Sequence, residues 1–151
     1  MSNLECQKIQ SEYGFVPQIC NAVQAGQVTA PFGILTDEQK ESNIFFLTGS
    51  KRIDATSGQQ LEALAGVLQT AALAHTCVQL IGHSSASGDP RSNKKIGLER
   101  ARSVSVFLGF LLDSPERIDS VISHGEEDLL TNFSPNNDVQ KRVSILLKSC
   151  L

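Results

Sequence analysis

Apolar and polar positions along this chain alternate between two periods. Ile44-Phe45-Phe46-Leu47 is a short apolar run of aromatic and β-branched character, which predicts a strand. Leu61, Leu64, Ala65, Leu68, Ala71 and Ala72 then recur at helical spacing, behind Ser57-Gly-Gln-Gln60. That tetrad fits a capping box in which the Ser57 hydroxyl accepts from first-turn amides. Val78 to Ile81 predicts a second strand, and Asn93 to Leu112 a second long helix with Ile96, Ala101, Val104, Leu108 and Leu111 on one face. Ser114-Pro115-Glu116 starts a further turn or two of helix, with a capping Ser and Pro at the first helical position. Ile118 to Ser123 leads into a third strand, VISHG; residues 126–140 form a loop around Pro135-Asn136-Asn137-Asp138; Arg142 to Lys148 is the last strand. The order is β-α-β-α-(short α)-β-β. Right-handed crossovers make the first three strands mutually parallel, and the last, arriving through a long loop, runs antiparallel to its neighbours. The expected fold class is α/β, a two-layer sandwich with helices on one face of a mixed four-stranded sheet.

Residues 1–40 follow a different pattern. LECQKIQSEYGF begins a short helix, PQICNAVQAG adds a turn or two closed by Gly26, and QVTAPFGILTDEQKESN reads as loop with a short strand at 33–35. The expected organisation is an N-terminal extension, 1–40, packed on or tethering a main domain, 41–151. The length of 151 residues suits one such domain.

Composition narrows the class. Net charge is −3, so no overall basic field points to nucleic acid. No apolar run approaches the ~20 residues that span a bilayer. The start, MSNLECQKIQ, shows no basic region followed by an apolar one, so no signal peptide is visible. A cytosolic protein, or one whose signal preceded this numbering, would read the same. Cysteines stand at 6, 20, 77 and 150, with neither a CxxC pair nor a His at zinc-ligand spacing. Buried thiols in the cytosol and two disulfides in an oxidising compartment both fit that count.

Two kinds of chemistry compete in VQLIGHSSASGDPRSNKKIGLERARSV, residues 78–104. The first is a serine esterase with Ser84 as nucleophile, since Asp113 or Asp119 followed by His124 completes the order Ser, acid, His. A nucleophile elbow needs G-x-S-x-G and an immediate helix, whereas Gly82-His83-Ser84-Ser85-Ala86 lacks the second Gly and runs on through a loop. The minor esterase alternative stands on that order alone. His83 and His124 each follow a strand, but a metal site needs a third ligand and the sequence offers none, so packing or hydrogen bonding is the expected role. His75, at a helix end, is expected to cap. No catalytic residue, metal ligand or cofactor is predicted.

The second kind is a cradle for a charged ligand. Arg91, Lys94, Lys95, Arg100 and Arg102 face Glu99 alone across residues 91–102. Arg100 lies one turn after Ile96, on the stripe that faces inward, where a guanidinium needs a partner. Its planar fork suits a carboxylate. Gly82-His83-Ser84-Ser85-Ala86-Ser87-Gly88, followed by Asn93, Ile96, Gly97, Arg100, Ala101 and Val104, resembles the core motif of OmpA-like domains, which include the peptidoglycan-associated lipoproteins and flagellar-motor stator proteins. The family pattern is Gly-His-Thr/Ala-Asp-x-x-Gly, then Asn, Leu, Ser/Gly, Arg-Ala and Val at matching spacings. Ile44-Phe45-Phe46 with Ser50 resembles the family's opening strand, Ser123-His124-Gly125-Glu126-Glu127 its third-strand Tyr-Gly-x-Glu, and Gln140-Lys141-Arg142-Val143 its closing Asn-Arg-Arg-Val. The resemblance spans about residues 43–149.

The resemblance implies a non-catalytic cell-envelope protein that binds the diaminopimelate of peptidoglycan stem peptides, in the periplasm at the outer membrane or the peptidoglycan. The ligand-binding residues it implies are Arg100 for the carboxylate, Asn93 at the helix start, and Ser85 at the position of the family's ammonium-binding Asp. Asp89 in the same loop is a candidate substitute for that Asp, and Gly49 replaces a second family Asp. The pocket is therefore expected to be altered, and the alternative is an assembly module of an envelope-spanning secretion or motility complex, with protein partners. In the family's sheet the last strand lies antiparallel beside the second. This implies a Cys77–Cys150 disulfide or close approach; a Cys6–Cys20 bridge is expected within the extension.

Overall fold

The computed structural model describes residues 3–15 and 42–150. Their elements run α1 Asn3–Tyr13, β1 Asn43–Phe45, α2 Ala55–Leu68, β2 Thr76–His83, α3 Pro90–Leu111, β3 Ile118–Gly125 and β4 Arg142–Ser149. Single 3-10 turns occupy Ala71–Leu73, Pro115–Arg117 and Asp138–Gln140. The sheet order is β1-β4-β2-β3, with β2 and β3 parallel and β4 antiparallel to both β1 and β2. The expected class and strand directions are observed.

Alternation along β2 and β4 divides the sheet. Val78, Leu80, Val143 and Ile145 face α2 and α3 and join Leu61, Leu68, Val104, Phe107 and Leu108 in the core. Ile9 and Tyr13 of α1 enter the same core, and the Tyr13 ring meets Phe107 edge-on at 5.2 Å. Arg52 Nε donates to the Tyr13 carbonyl at 3.0 Å, capping the end of α1. Burial pushes the Tyr13 hydroxyl up to about 12.

Several local expectations are revised. Helix α2 is capped by Asp54, whose carboxylate accepts from the Ser57 amide at 2.8 Å. Ser57 is the third residue of the helix, not its cap, because Asp54 reaches the first-turn amides with a full charge. The helix ends at Leu68, and Ala71 and Ala72 lie exposed in a 3-10 turn. Helix α3 starts at Pro90 with Asp89 as its cap, three residues before the expected Asn93. His75 precedes β2, where its carbonyl accepts from the Cys150 amide. The strand expected at 33–35 and the turns through Gly26 lie outside the described residues.

β2 and β4 pair from Thr76↔Ser149 to Gly82↔Val143, which brings the sulfurs at their joint edge together. Cys77 and Cys150 are disulfide-bonded, with Cα atoms 4.8 Å apart. Of the expected Cys6–Cys20 pair, Cys20 lies outside the described residues.

One contact places the site. Gly82 and Gly97 pack backbone to backbone, where β2 meets α3; a Cβ on Gly82 would come 1.7 Å from the Gly97 carbonyl oxygen. Only glycine permits that approach. It sets the loop after β2 against the first turns of α3.

Candidate functional site

The loop joining β2 to α3, residues 84–89, is pinned from three sides. The Ser84 amide donates to the Gly125 carbonyl at 2.8 Å and the Ala86 amide to the Pro135 carbonyl at 2.9 Å. Asn93 Nδ2 donates to the Ser87 carbonyl at 2.9 Å. The loop, the start of α3 and the turn after β1 enclose a cleft of about 280 Å³, lined by Thr48, Gly49, Ser84, Ser85, Ser87, Ser92, Asn93, Ile96, Arg100 and Lys141. Among the described residues hydroxyls dominate the lining, two cations are present, and no acid lines it.

Arg100 is 2% exposed. Its Nε donates to the Ser50 carbonyl at 2.9 Å, Nη1 to His83 at 3.2 Å and Nη2 to Leu47 at 3.4 Å. Its guanidinium also sits over the Phe46 ring, 5.6 Å from the centroid. Backbone carbonyls thus hold the group without neutralising it. Among the described residues no carboxylate forms an ion pair with it: Glu99, one position back, pairs with Lys51 instead. Burial lowers the guanidinium to about 10, still charged at neutral pH. The second cation, Lys141, reaches Thr48 Oγ1 and Asp138 Oδ1, each at 2.6 Å. Its carboxylate partner is two-thirds exposed and is not among the residues lining the cleft.

Ser84 is buried, and its Oγ has no hydrogen-bond partner among the described residues. No base is poised on it. His83 Nε2 is engaged with Ser144 Oγ at 3.0 Å, and His124 Nδ1 lies 3.7 Å from Asp128. The Ser, acid, His order in the chain therefore does not become a triad. Ser85, also buried, shares a hydrogen bond with Ser87 at 2.9 Å. Asp89 spends its carboxylate on the cap, accepting from Ser92 N at 3.0 Å and Ser92 Oγ at 3.2 Å, and does not line the cleft.

Residues 45–142 match the OmpA family. The chain belongs to the OmpA family. Its fold is that of the peptidoglycan-associated lipoprotein from Burkholderia pseudomallei, at 17% identity and TM-score 0.62 over 71% of this chain and 90% of that one. The OmpA-like domain of FopA1 from Francisella tularensis matches at 14% and 0.61, over 84% and 97%. The C-terminal domain of Helicobacter pylori MotB matches at 19% and 0.58, over 70% and 81%. No curated protein sequence matches the chain. OmpA-like domains are non-enzymatic. Among the described residues no helix is long and apolar enough to cross a membrane.

The cleft unites Ser85, Asn93 and Arg100, three positions singled out from the sequence, and leaves Asp89 outside. Sequence reasoning missed Thr48, Ser84 as a cleft hydroxyl, and Lys141. Lys141 had a signal, since it stands in Gln140-Lys141-Arg142-Val143, but nothing local shows that β4 begins beneath the β1 turn. A second cluster lies behind His83. His83, His124 and Asp128 bring ligand-type atoms within 4.8 Å of one another. Asp128, four residues after His124, is the third ligand-type group beside the two histidines, which the sequence alone does not offer.

Proposed function

We propose that this OmpA-like domain is a non-catalytic, cell-envelope module that takes the carboxylate of a peptidoglycan stem peptide into the cleft at Arg100. The observation that carries the reading is the buried guanidinium, oriented by three carbonyls and lacking an acid among the described residues. A cation left uncompensated at the wall of a cleft is stabilised by an incoming anion, and a carboxylate matches its fork. The Ser84 hydroxyl, which has no hydrogen-bond partner among the described residues, and Lys141 on the same cleft add donors for that anion. Membership of the family, and a fold shared with a protein named for its association with peptidoglycan, support the choice of ligand and a periplasmic location at the outer membrane or the peptidoglycan.

Ser85 makes the site one-sided. A diaminopimelate side chain ends in both an ammonium and a carboxylate, and among the described residues no lining acid meets the ammonium. The domain on this reading grips the carboxylate end and leaves the ammonium to solvent. This same feature favours the second reading, an assembly module of a secretion or motility complex in which the cleft no longer serves peptidoglycan. Co-sedimentation with purified sacculi separates the two. Binding by the wild type and by Lys94→Ala, reduced at least tenfold in Arg100→Lys, is the expected result; no sedimentation of the wild type gives precedence to the assembly module.

A further inference from the structure

We propose that His83, His124 and Asp128 form a site for one divalent transition-metal ion of the zinc type, distinct from the Arg100 cleft and independent of the reading given for it. The starting point is a hydrogen-bond chain. Ser144 Oγ donates to Asn43 Oδ1 at 3.1 Å, which uses its only proton. Its contact with His83 Nε2 at 3.0 Å must then be accepted, so the His83 proton sits on Nε2. Nδ1 is left as a bare lone pair. That atom is buried and has no partner among the described residues, and the residue is 1% exposed. An imidazole whose far nitrogen is fixed as a donor is the usual arrangement of a metal-bound histidine.

The remaining ligands come from the neighbouring strand and the turn beyond it. β3 runs parallel to β2, pairing His83 with Gly125, and the His124 ring stands edge-on to His83 with centroids 5.7 Å apart. The Asp128 carboxylate lies 3.7 Å from His124 Nδ1. The three residues each bring one ligand-type atom, a ring nitrogen from either histidine and a carboxylate oxygen, within 4.8 Å of the others. Bonds of ~2.0–2.2 Å to zinc would bring them to roughly 3.3 Å apart. The closure required is small and falls on His124 and Asp128, which are 38% and 67% exposed, while buried His83 stays in place. Two imidazoles and one carboxylate leave a position for water, and this donor set suits zinc, nickel or cobalt better than calcium or magnesium. No free thiol competes among the described residues.

Arg142 stands against tight binding. Its Nη2 donates to the Asp128 carbonyl at 3.1 Å, and its buried charge faces the same cluster. It occupies none of the three ligand atoms, so its effect is repulsion rather than blockage. Its Nε and Nη1 have no partner among the described residues either. Replacing it with a neutral side chain should therefore tighten the site.

The test is calorimetric titration of Zn²⁺ into the full chain, freed of metal by chelator, carrying no histidine tag and with its disulfides intact. One ion per chain is expected. His124→Ala and Asp128→Ala, both at exposed positions, should each weaken binding at least tenfold. Ser144→Ala, which frees the His83 proton to move to Nδ1, should weaken it by roughly 10-fold or more. Arg142→Gln should strengthen it, a change that a merely structural role for these residues would not produce. His75→Ala, at an exposed histidine elsewhere, should leave it unchanged. The proposal is overturned by the absence of binding to the wild type, by binding that survives both His124→Ala and Asp128→Ala, or by binding that His75→Ala removes.

Discussion

Replacing Ser85 with aspartate returns a charge to the wall of the cleft where the family's pattern carries one. Ser85 is 4% exposed, and its hydroxyl makes one neutral hydrogen bond, to Ser87. A carboxylate there has two opposed effects. It attracts a ligand ammonium, and a hydrogen bond to a charged group contributes ~1.5–3 kcal/mol. It also offsets part of the field of Arg100 and Lys141 that holds the ligand carboxylate. The second effect cancels when two ligands with the same carboxylate are compared. The measurement is therefore a ratio: affinity for a diaminopimelate-containing tripeptide over affinity for the same peptide acetylated on its side-chain amine. No acid among the described residues lines the wild-type cleft, so its ratio should be close to one. In Ser85→Asp it should rise by roughly 10- to 150-fold, at 1.4 kcal/mol per decade. Added salt should shrink the gain, because the mouth of the cleft is open to solvent. Calorimetry with both peptides reads the ratio directly. If both peptides bind both proteins and the ratio does not move, Ser85 does not face the ammonium and the one-sided site is wrong.

Other substitutions test the frame that carries the cleft. Gly82→Ala drives a methyl into the Gly97 carbonyl, with backbone on both sides, and should lower stability by about 3 kcal/mol or more in urea unfolding. Gly109→Ala, in the same helix α3 with open space around it, should instead raise stability by ~0.5–1 kcal/mol. The Cys77–Cys150 bridge spans 73 residues, for which loop-closure entropy gives ~4 kcal/mol. The Cys77→Ala, Cys150→Ala double variant should lose a large part of that, and a loss below about 1 kcal/mol would show that the unfolded chain already holds these ends together. Arg100→Ala should cost stability as well as ligand binding, by ~1–3 kcal/mol, because the carbonyls of Ser50, His83 and Leu47 lose a charged donor.

Much of the fold was legible because its signals are periodic. The alternation of Val78, Leu80 and of Val143, Ile145, and the helical stripe through Val104, Leu108 and Leu111, each state which face is buried, and the core follows them. Boundaries were less legible where two caps compete. Asp54 and Ser57 both qualify at the head of α2, and spacing alone does not say which oxygen reaches the amides. Asp89-Pro90 read as the end of a loop because it follows Ser87-Gly88, yet Pro at the first helical position with Asp before it is a helix start. The site was half legible. Arg100 stood out as a cation on an apolar stripe, but its carbonyl partners are 17 to 53 residues away in sequence, and no local pattern encodes them. Lys141 joins the cleft only because β4 lies between β1 and β2. Asp128 carried a faint signal, its four-residue spacing from His124, which acquires meaning only once β3 is paired with β2.

The central claim is that the Arg100 cleft receives the carboxylate of a stem peptide. The most direct measurement leaves the protein unmutated: a ¹⁵N-labelled full chain titrated with the diaminopimelate-containing tripeptide and followed by heteronuclear NMR, with the Arg100 Nε–H observed alongside the backbone amides. Binding should move Arg100 Nε–H and the amides of Ser84, Ser85 and Ser87 together along one saturating curve, and a peptide with its side-chain carboxylate amidated should leave them in place. Resonances that stay fixed at millimolar peptide, or shifts of equal size with the amidated peptide, would contradict it.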